Sequence, residues 1–254
     1  MADSYPPPVP PTPPGAPGMQ PPGTVPPPPS GPPPTPPTPP LPWEQPGYPF
    51  LEGLFETAKL VLTAPSQAFA RMSLIADIGR PLFYAVILGW LGVIANQAYN
   101  IALRGAMHSF LSTLPGYNTR LFFGLPTAFN VGFMVIAPIF VLIGVFVWSA
   151  IIHLFLMIVG GANKGFGATL RVVCYSTTVQ VFQIIPFCGG FVAGIWALVL
   201  YVIGIATAHR TTQGKAALAV LLPIVLCCVC AAVLMVAFGA AIVAAAGHFG
   251  HAWR

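Results

Sequence analysis

The chain has 254 residues, 56% of them hydrophobic and only 6% charged, with a mean hydropathy of +0.80; a soluble globular domain carries roughly a quarter charged residues, so a fully water-facing surface is excluded. The net charge of +5 conceals an asymmetry: all five acids (Asp3, Glu44, Glu52, Glu56, Asp77) precede residue 78, and residues 78–254 hold eight basic side chains and no carboxylate. An integral membrane protein follows, without the acids that paired-carboxylate hydrolysis, intramembrane aspartyl proteolysis or carboxylate-held magnesium need.

Residues 1–49 contain 24 of the 31 prolines, in Pro-Pro, Pro-Thr-Pro and Pro-Gly units. Proline fixes φ and removes the amide donor, which predicts a disordered, Pro-rich tail of polyproline II character with neither helix nor sheet. Its Pro-x-x-Pro spacings fit either a docking strip or a solvated spacer. The first residues have no basic n-region or apolar h-region, so no secretory signal peptide is expected.

Residues 50–80 read as amphipathic interfacial helices. Over 50–63, Phe50, Leu51, Leu54, Phe55, Ala58, Val61 and Leu62 share one helical face, with Glu52, Glu56, Lys59 and Thr63 opposite. Fourteen residues are too few to span, which predicts a helix lying in the interface or against the bundle. Pro65 should end it, and Ser66 should cap a second short helix that carries Phe69 and Met72 inward.

Residues 81–254 read as an all-α polytopic membrane domain of five transmembrane helices: 82–103, 136–159, 172–189, 191–208 and 217–246. Residues 122–134, interrupted by Pro126 and Asn130, read as an interfacial or re-entrant lead-in. Lys59, Arg71, Arg80, Lys164, Arg171, Arg210 and Lys215 fall on the side of the N-terminus, against Arg104, Arg120 and Arg254 on the other. The positive-inside rule then puts the tail in the cytoplasm and the C-terminus outside.

The third span is unusually polar, with Tyr175, Ser176, Thr177, Thr178, Gln180 and Gln183. Lipid satisfies none of these groups, so they must face other helices or a wet cavity. Asn96, Gln97 and Asn100 on the first span are their natural partners. His153 has no acid near it and reads as a hydrogen-bonded packing histidine, while His209 at a helix end suits the headgroups. Gly190-x-x-x-Gly194 predicts a close helix contact. Cys227, Cys228 and Cys230 point in different directions from one turn, so no metal site is expected. No cofactor is implied, no nucleophile–base pair occurs, and no dense basic run points to nucleic acid.

Arg80-Pro81-Leu82 at a span start, Thr169-Leu170-Arg171-Val172-Val173-Cys174-Tyr175-Ser176, then Ile185-Pro186 with Gly189, Trp196, Gly204 and His209, form a recognisable series. Together with the lead helix, it resembles the YIP1-domain family, chiefly its prokaryotic branch, over roughly residues 55–235. The resemblance implies a five-span membrane fold with a cytoplasmic N-terminus, and the Ala/Pro/Gly-rich composition suits a bacterial cytoplasmic membrane. Eukaryotic members act in early secretory trafficking, contact Rab-type GTPases and associate with relatives. Their Asp-Leu-Tyr-Gly-Pro motif is absent here, where the nearest stretch is Gly79-Arg80-Pro81-Leu82-Phe83, so that contact is not carried over. The expectation is a non-enzymatic protein working through lipid or protein contacts, with a membrane or cytoplasmic protein partner or self-association. The alternative is a small permease or channel component lined by the third span.

Overall fold

The computed structural model describes residues 39–111, Thr113 and 127–251; the first 38 residues, Arg120, residues 122–126 and Trp253 lie outside the described residues. The α-helices are α1 (Phe50–Thr63), α2 (Pro65–Arg71), α3 (Gly79–Leu111), α4 (Thr127–Ile158), α5 (Phe166–Ser176), α6 (Gly189–His209) and α7 (Gln213–His251). Two 3-10 helices, Pro42–Glu44 and Thr177–Ile184, complete the order, and the described residues include no strand.

Four of these helices are long and apolar enough to cross a membrane: Gly79–Met107, Phe129–Ile158, Gly189–His209 and Gln213–Gly239. Of the five spans the sequence predicts, residues 172–189 do not form one continuous α-helix: α5 stops at Ser176 and the chain tightens into a 3-10 helix. The cause is local. Thr177 Oγ1 donates to Cys174 O and Thr178 Oγ1 to Tyr175 O, each at 2.6 Å. These hydroxyls bond carbonyls three residues back and compete with the regular helical ladder where two β-branched residues already crowd it.

A second correction concerns residues 122–134. From Thr127 onward they are the first turns of α4, which runs through Asn130 without a break. Asn130 is buried and accepts from Gln97 on α3 at 3.4 Å, so its side chain is turned to a neighbouring helix rather than interrupting its own.

The third correction is the tail boundary. Residues 39–49 are attached to the bundle: Leu41 is fully buried, Trp43 N donates to Thr57 Oγ1, and Trp43 Nε1 donates to Arg80 O. Pro42 sits at the start of its 3-10 helix, where its missing amide costs nothing. Pro65 likewise starts α2, and no side chain caps that helix, so the cap expected of Ser66 does not form. Phe69 and Met72 do point inward.

α5 is the hub. Every residue from Ala168 to Ser176 is buried, enclosed by α3, α4 and α6. Its 3-10 extension runs parallel to α3, since Tyr84 meets Thr178, Gly92 meets Gln180 and Asn96 meets Gln183. α4 is antiparallel to α3, with Gly89 against Val141 and Gln97 against Asn130. α7 buries Ala216, Ala219 and Val220, and from Val225 to Gly239 every residue is exposed.

The close helix contacts are not where the sequence pattern put them. A Cβ on Gly194 would meet nothing within 4 Å, and one on Gly190 would reach only the Gln183 amide, at 3.6 Å. The tight helix approaches include Gly204, whose Cβ would come 2.5 Å from Val172 Cγ1 and 3.0 Å from Phe69 Cζ, Gly89, 2.6 Å from Val141 Cγ1, and Gly92, 2.7 Å from Gln180 Cβ. Gly204→Leu should therefore lower the melting temperature in detergent, overpacking of this kind costing about 1–3 kcal/mol, while Gly194→Leu should melt like the parent. Equal melting of the two variants would remove the assignment.

Candidate functional site

The polar side chains of α5 and its 3-10 extension form a spine whose members reach a different neighbour at each level. At the end that holds Arg71, Arg80 and Arg171, Thr169 Oγ1 lies 2.9 Å from His153 Nδ1 and 2.9 Å from His209 Nε2. The amide of Lys164 donates to His209 Nδ1 at 3.2 Å. An imidazole that accepts at Nδ1 carries its proton on Nε2, so His209 donates to Thr169, and the Thr169 hydroxyl donates on to His153. One threonine thereby joins α4, α5 and α6. His153 behaves as the packing histidine foreseen. His209 does not sit among headgroups; it is fully buried, because this bonding holds the turn that follows α4 against the end of α6.

One level further along, Tyr175 is buried and its hydroxyl donates to Glu44 Oε1 at 2.8 Å. Glu44 Oε2 accepts from the Ser73 amide at 2.9 Å. This carboxylate comes from the segment before α1, 131 residues away in sequence. Burial pushes its pKa above the ordinary 4.5, although the Ser73 and Tyr175 hydrogen bonds and the charges of Arg171 and Arg80 pull the other way. Arg171, also buried, donates Nη1 to Leu74 O at 3.0 Å and Nη2 to Ala76 O, tying α5 to the α2–α3 loop. Arg80 Nη1 donates to Glu44 O at 2.7 Å.

The next level is Tyr84 on α3, its hydroxyl 2.7 Å from Thr178 Oγ1. Its ring is 5.1 Å from that of Tyr175. Ser176 is buried, and its hydroxyl returns to Val172 O in its own helix at 2.8 Å. At the far end the groups are amides. Gln183 accepts from Asn96 Nδ2 and donates to Gln180 Oε1, both at 3.4 Å, and Asn100 donates to Asn96. Gly92, Asn96, Gln97, Gln180 and Gln183 line a cavity of about 260 Å³. Asn96 and Gln183 also line a neighbouring one of about 180 Å³ that Tyr99 and Phe187 close.

The remaining residues singled out from sequence have structural surroundings. Pro186 lies in the exposed turn before α6, its carbonyl accepting from Cys188 N at 2.7 Å. Gly189 is required there because any Cβ would collide with the Phe182 carbonyl. Trp196 is half-buried, and its Nε1 makes no hydrogen bond within the described residues. Gly204 receives Val172 and Phe69. Sequence reasoning missed Glu44, Thr169 and Arg171 as members of the spine. Glu44 had a readable signal, since an acid next to Trp43 among prolines is a poor fit to a pure spacer. The Thr169–His209 pairing, 40 residues apart, had none.

Taken together, the spine uses hydroxyls, imidazoles and one carboxylate to hold helices, and it ends in loosely paired amides around open volume. A family model described as the Yip1 domain matches residues 59–235 of the chain, most of its length. No curated protein and no solved structure matches it.

The raised pKa of Glu44 sets a pH dependence. The folded state holds a proton on this group that the unfolded chain has already released, so stability falls as pH rises from the unfolded pKa through the folded one. Glu44→Gln, neutral at every pH, should abolish that part of the slope in a melting-temperature series from pH 4 upward. A Glu44→Gln series parallel to the parent would show that the group is not buried in the folded protein. Tyr175→Phe leaves the carboxylate without one of its donors and should destabilise by about 1–3 kcal/mol.

Proposed function

The chain belongs to the Yip1 family, and from that premise we propose a non-enzymatic, multi-pass protein of a bacterial cytoplasmic membrane that acts through protein or lipid contacts in membrane organisation. α5 with its 3-10 extension serves as a fifth crossing. The parallel register with α3, from Tyr84–Thr178 to Asn96–Gln183, supports this reading. With five crossings, the basic residues favour a cytoplasmic N-terminus and an external C-terminus by seven to three. α1 lies in the cytoplasmic interface.

The observation that carries the scaffold reading is how the spine spends its polar groups. Thr169, Tyr175 and Thr178 are each bonded to a different neighbouring element and sealed from solvent, which is what helix glue requires and a conduction path forbids. Reporter fusions at the two ends test the topology. Opposite compartments are expected, and both ends on one side would show that α5 does not cross.

A second reading, a small permease or channel component, has its own support in the amide-lined cavity around Gln180. Solute flux in proteoliposomes holding this protein alone decides between them. No flux is expected; flux that Gln180→Leu abolishes while the protein still melts cooperatively would establish the permease.

A further inference from the structure

At the basic end, the segment before α1 leans across α1 and the start of α3, leaving a cavity of about 250 Å³. Trp43, Tyr48, Phe50 and Phe83 form aromatic walls, and Arg80 and Gln45 supply polar lining. The Trp43 ring centroid is 5.2 Å from that of Phe50 and 6.1 Å from that of Phe83, so three of the walls brace one another. Arg80 is fixed from two directions: it donates Nη1 to Glu44 O, and its carbonyl accepts from Trp43 Nε1. No carboxylate lines the cavity. Glu44 is absent from the lining, and its two oxygens are engaged by the Ser73 amide and the Tyr175 hydroxyl.

The surroundings give the chemistry of the occupant. Phe50 and Phe83 are each about half exposed, and Leu51 and Phe55 on α1 are more so, at 74% and 66%. On the 100° helical wheel, Leu51 and Phe55 form a shoulder between the buried line Gly53, Thr57, Val61 and the polar face of Glu52 and Lys59. An apolar shoulder beside an aromatic cavity, where α3 begins its apolar run, is a place for acyl chain and glycerol carbons. Positive charge at this end exceeds what Glu44, which feels both Arg80 and Arg171, can balance. Arg71, Arg80, Arg171 and Lys215 all donate to backbone carbonyls, and Glu56–Lys59 is the one ion pair among the described residues.

We propose that this cavity binds an anionic glycerophospholipid, its phosphodiester on the Arg80 guanidinium and its glycerol and first acyl carbons against Phe50 and Phe83. The site rests on the reading of α1 as interfacial and gives it a specific ligand class. A guanidinium held by one hydrogen bond keeps further donors in the fork geometry that matches a phosphate. The surplus positive charge selects an anionic over a zwitterionic lipid.

The test uses the full chain reconstituted in vesicles of equal phosphatidylglycerol and phosphatidylcholine, extracted in mild detergent and examined by native mass spectrometry. One phosphatidylglycerol should stay bound under washing that strips other lipids. Arg80→Gln should lower its occupancy about tenfold, the loss of one charge-assisted contact. Phe50→Ala, which touches none of the Arg80 hydrogen bonds, should lower it as well, so the outcome does not hang on one variant. Equal retention of both lipids, or an adduct unchanged in both variants, would overturn the site. A chain that incorporates into the vesicles yet keeps no lipid would overturn the site alone, whereas failure to incorporate would overturn the membrane reading beneath it.

Discussion

A membrane domain with no carboxylate after Asp77 has to satisfy its polar side chains with neutral partners, and this constraint shapes the bundle. Lipid offers no hydrogen bonds, so each buried hydroxyl, imidazole or amide needs a protein group at the right height. The structure concentrates these groups on one element, α5 with its 3-10 extension, and surrounds that element with α3, α4 and α6. Thr169, Tyr175 and Thr178 then face three directions. The 3-10 tightening is part of the same solution, since the hydroxyls of Thr177 and Thr178 bond to carbonyls of the turn before them.

The one acid that enters this arrangement is brought from outside the apolar run. Glu44 reaches Tyr175 because Leu41 is buried and Trp43 is pinned to Thr57 and Arg80, which carries the end of the Pro-rich segment onto the bundle. The cost of burying a carboxylate is only partly offset by Ser73, Tyr175 and two neighbouring arginines, and it falls on the aqueous margin of the domain rather than at its centre.

Much of the architecture was legible because it follows from hydropathy alone. The all-helical class and the apolar runs at 82–103, 136–159, 191–208 and 217–246, which lie within four of the observed long helices but for one residue, admit no other structure in lipid. The partnership of Asn96 with Gln183 was legible too, as two amides that needed each other. Illegible were features set by geometry between distant segments. In the small-xxx-small pattern Gly194 faces open space and Gly190 reaches only the Gln183 amide, while the glycines pressed by neighbours on that helix are Gly189, against the Phe182 carbonyl, and Gly204, where Phe69 of α2 presses in. A one-dimensional pattern carries the spacing of small residues but not the side of the helix on which a neighbour lies. The same holds for α1, whose buried line is Gly53, Thr57 and Val61 rather than its most apolar residues.

The spine also has a gradient that bears on how the domain moves. Near the basic end its hydrogen bonds are short, from 2.7 Å for Tyr84–Thr178 to 2.9 Å for the Thr169 contacts, and every group in them except the half-buried His153 is fully buried. At the far end the amide pairs are 3.4 Å apart and line open volume. Hydrogen bonds weaken with distance, and solvent-reachable amides exchange partners easily. Opening of the bundle is therefore cheapest around Gln180 and Gln183 and most costly at Thr169. A contact made at the tethered end bears on the rigid part of the spine, whereas a molecule entering from the far side meets the part that yields.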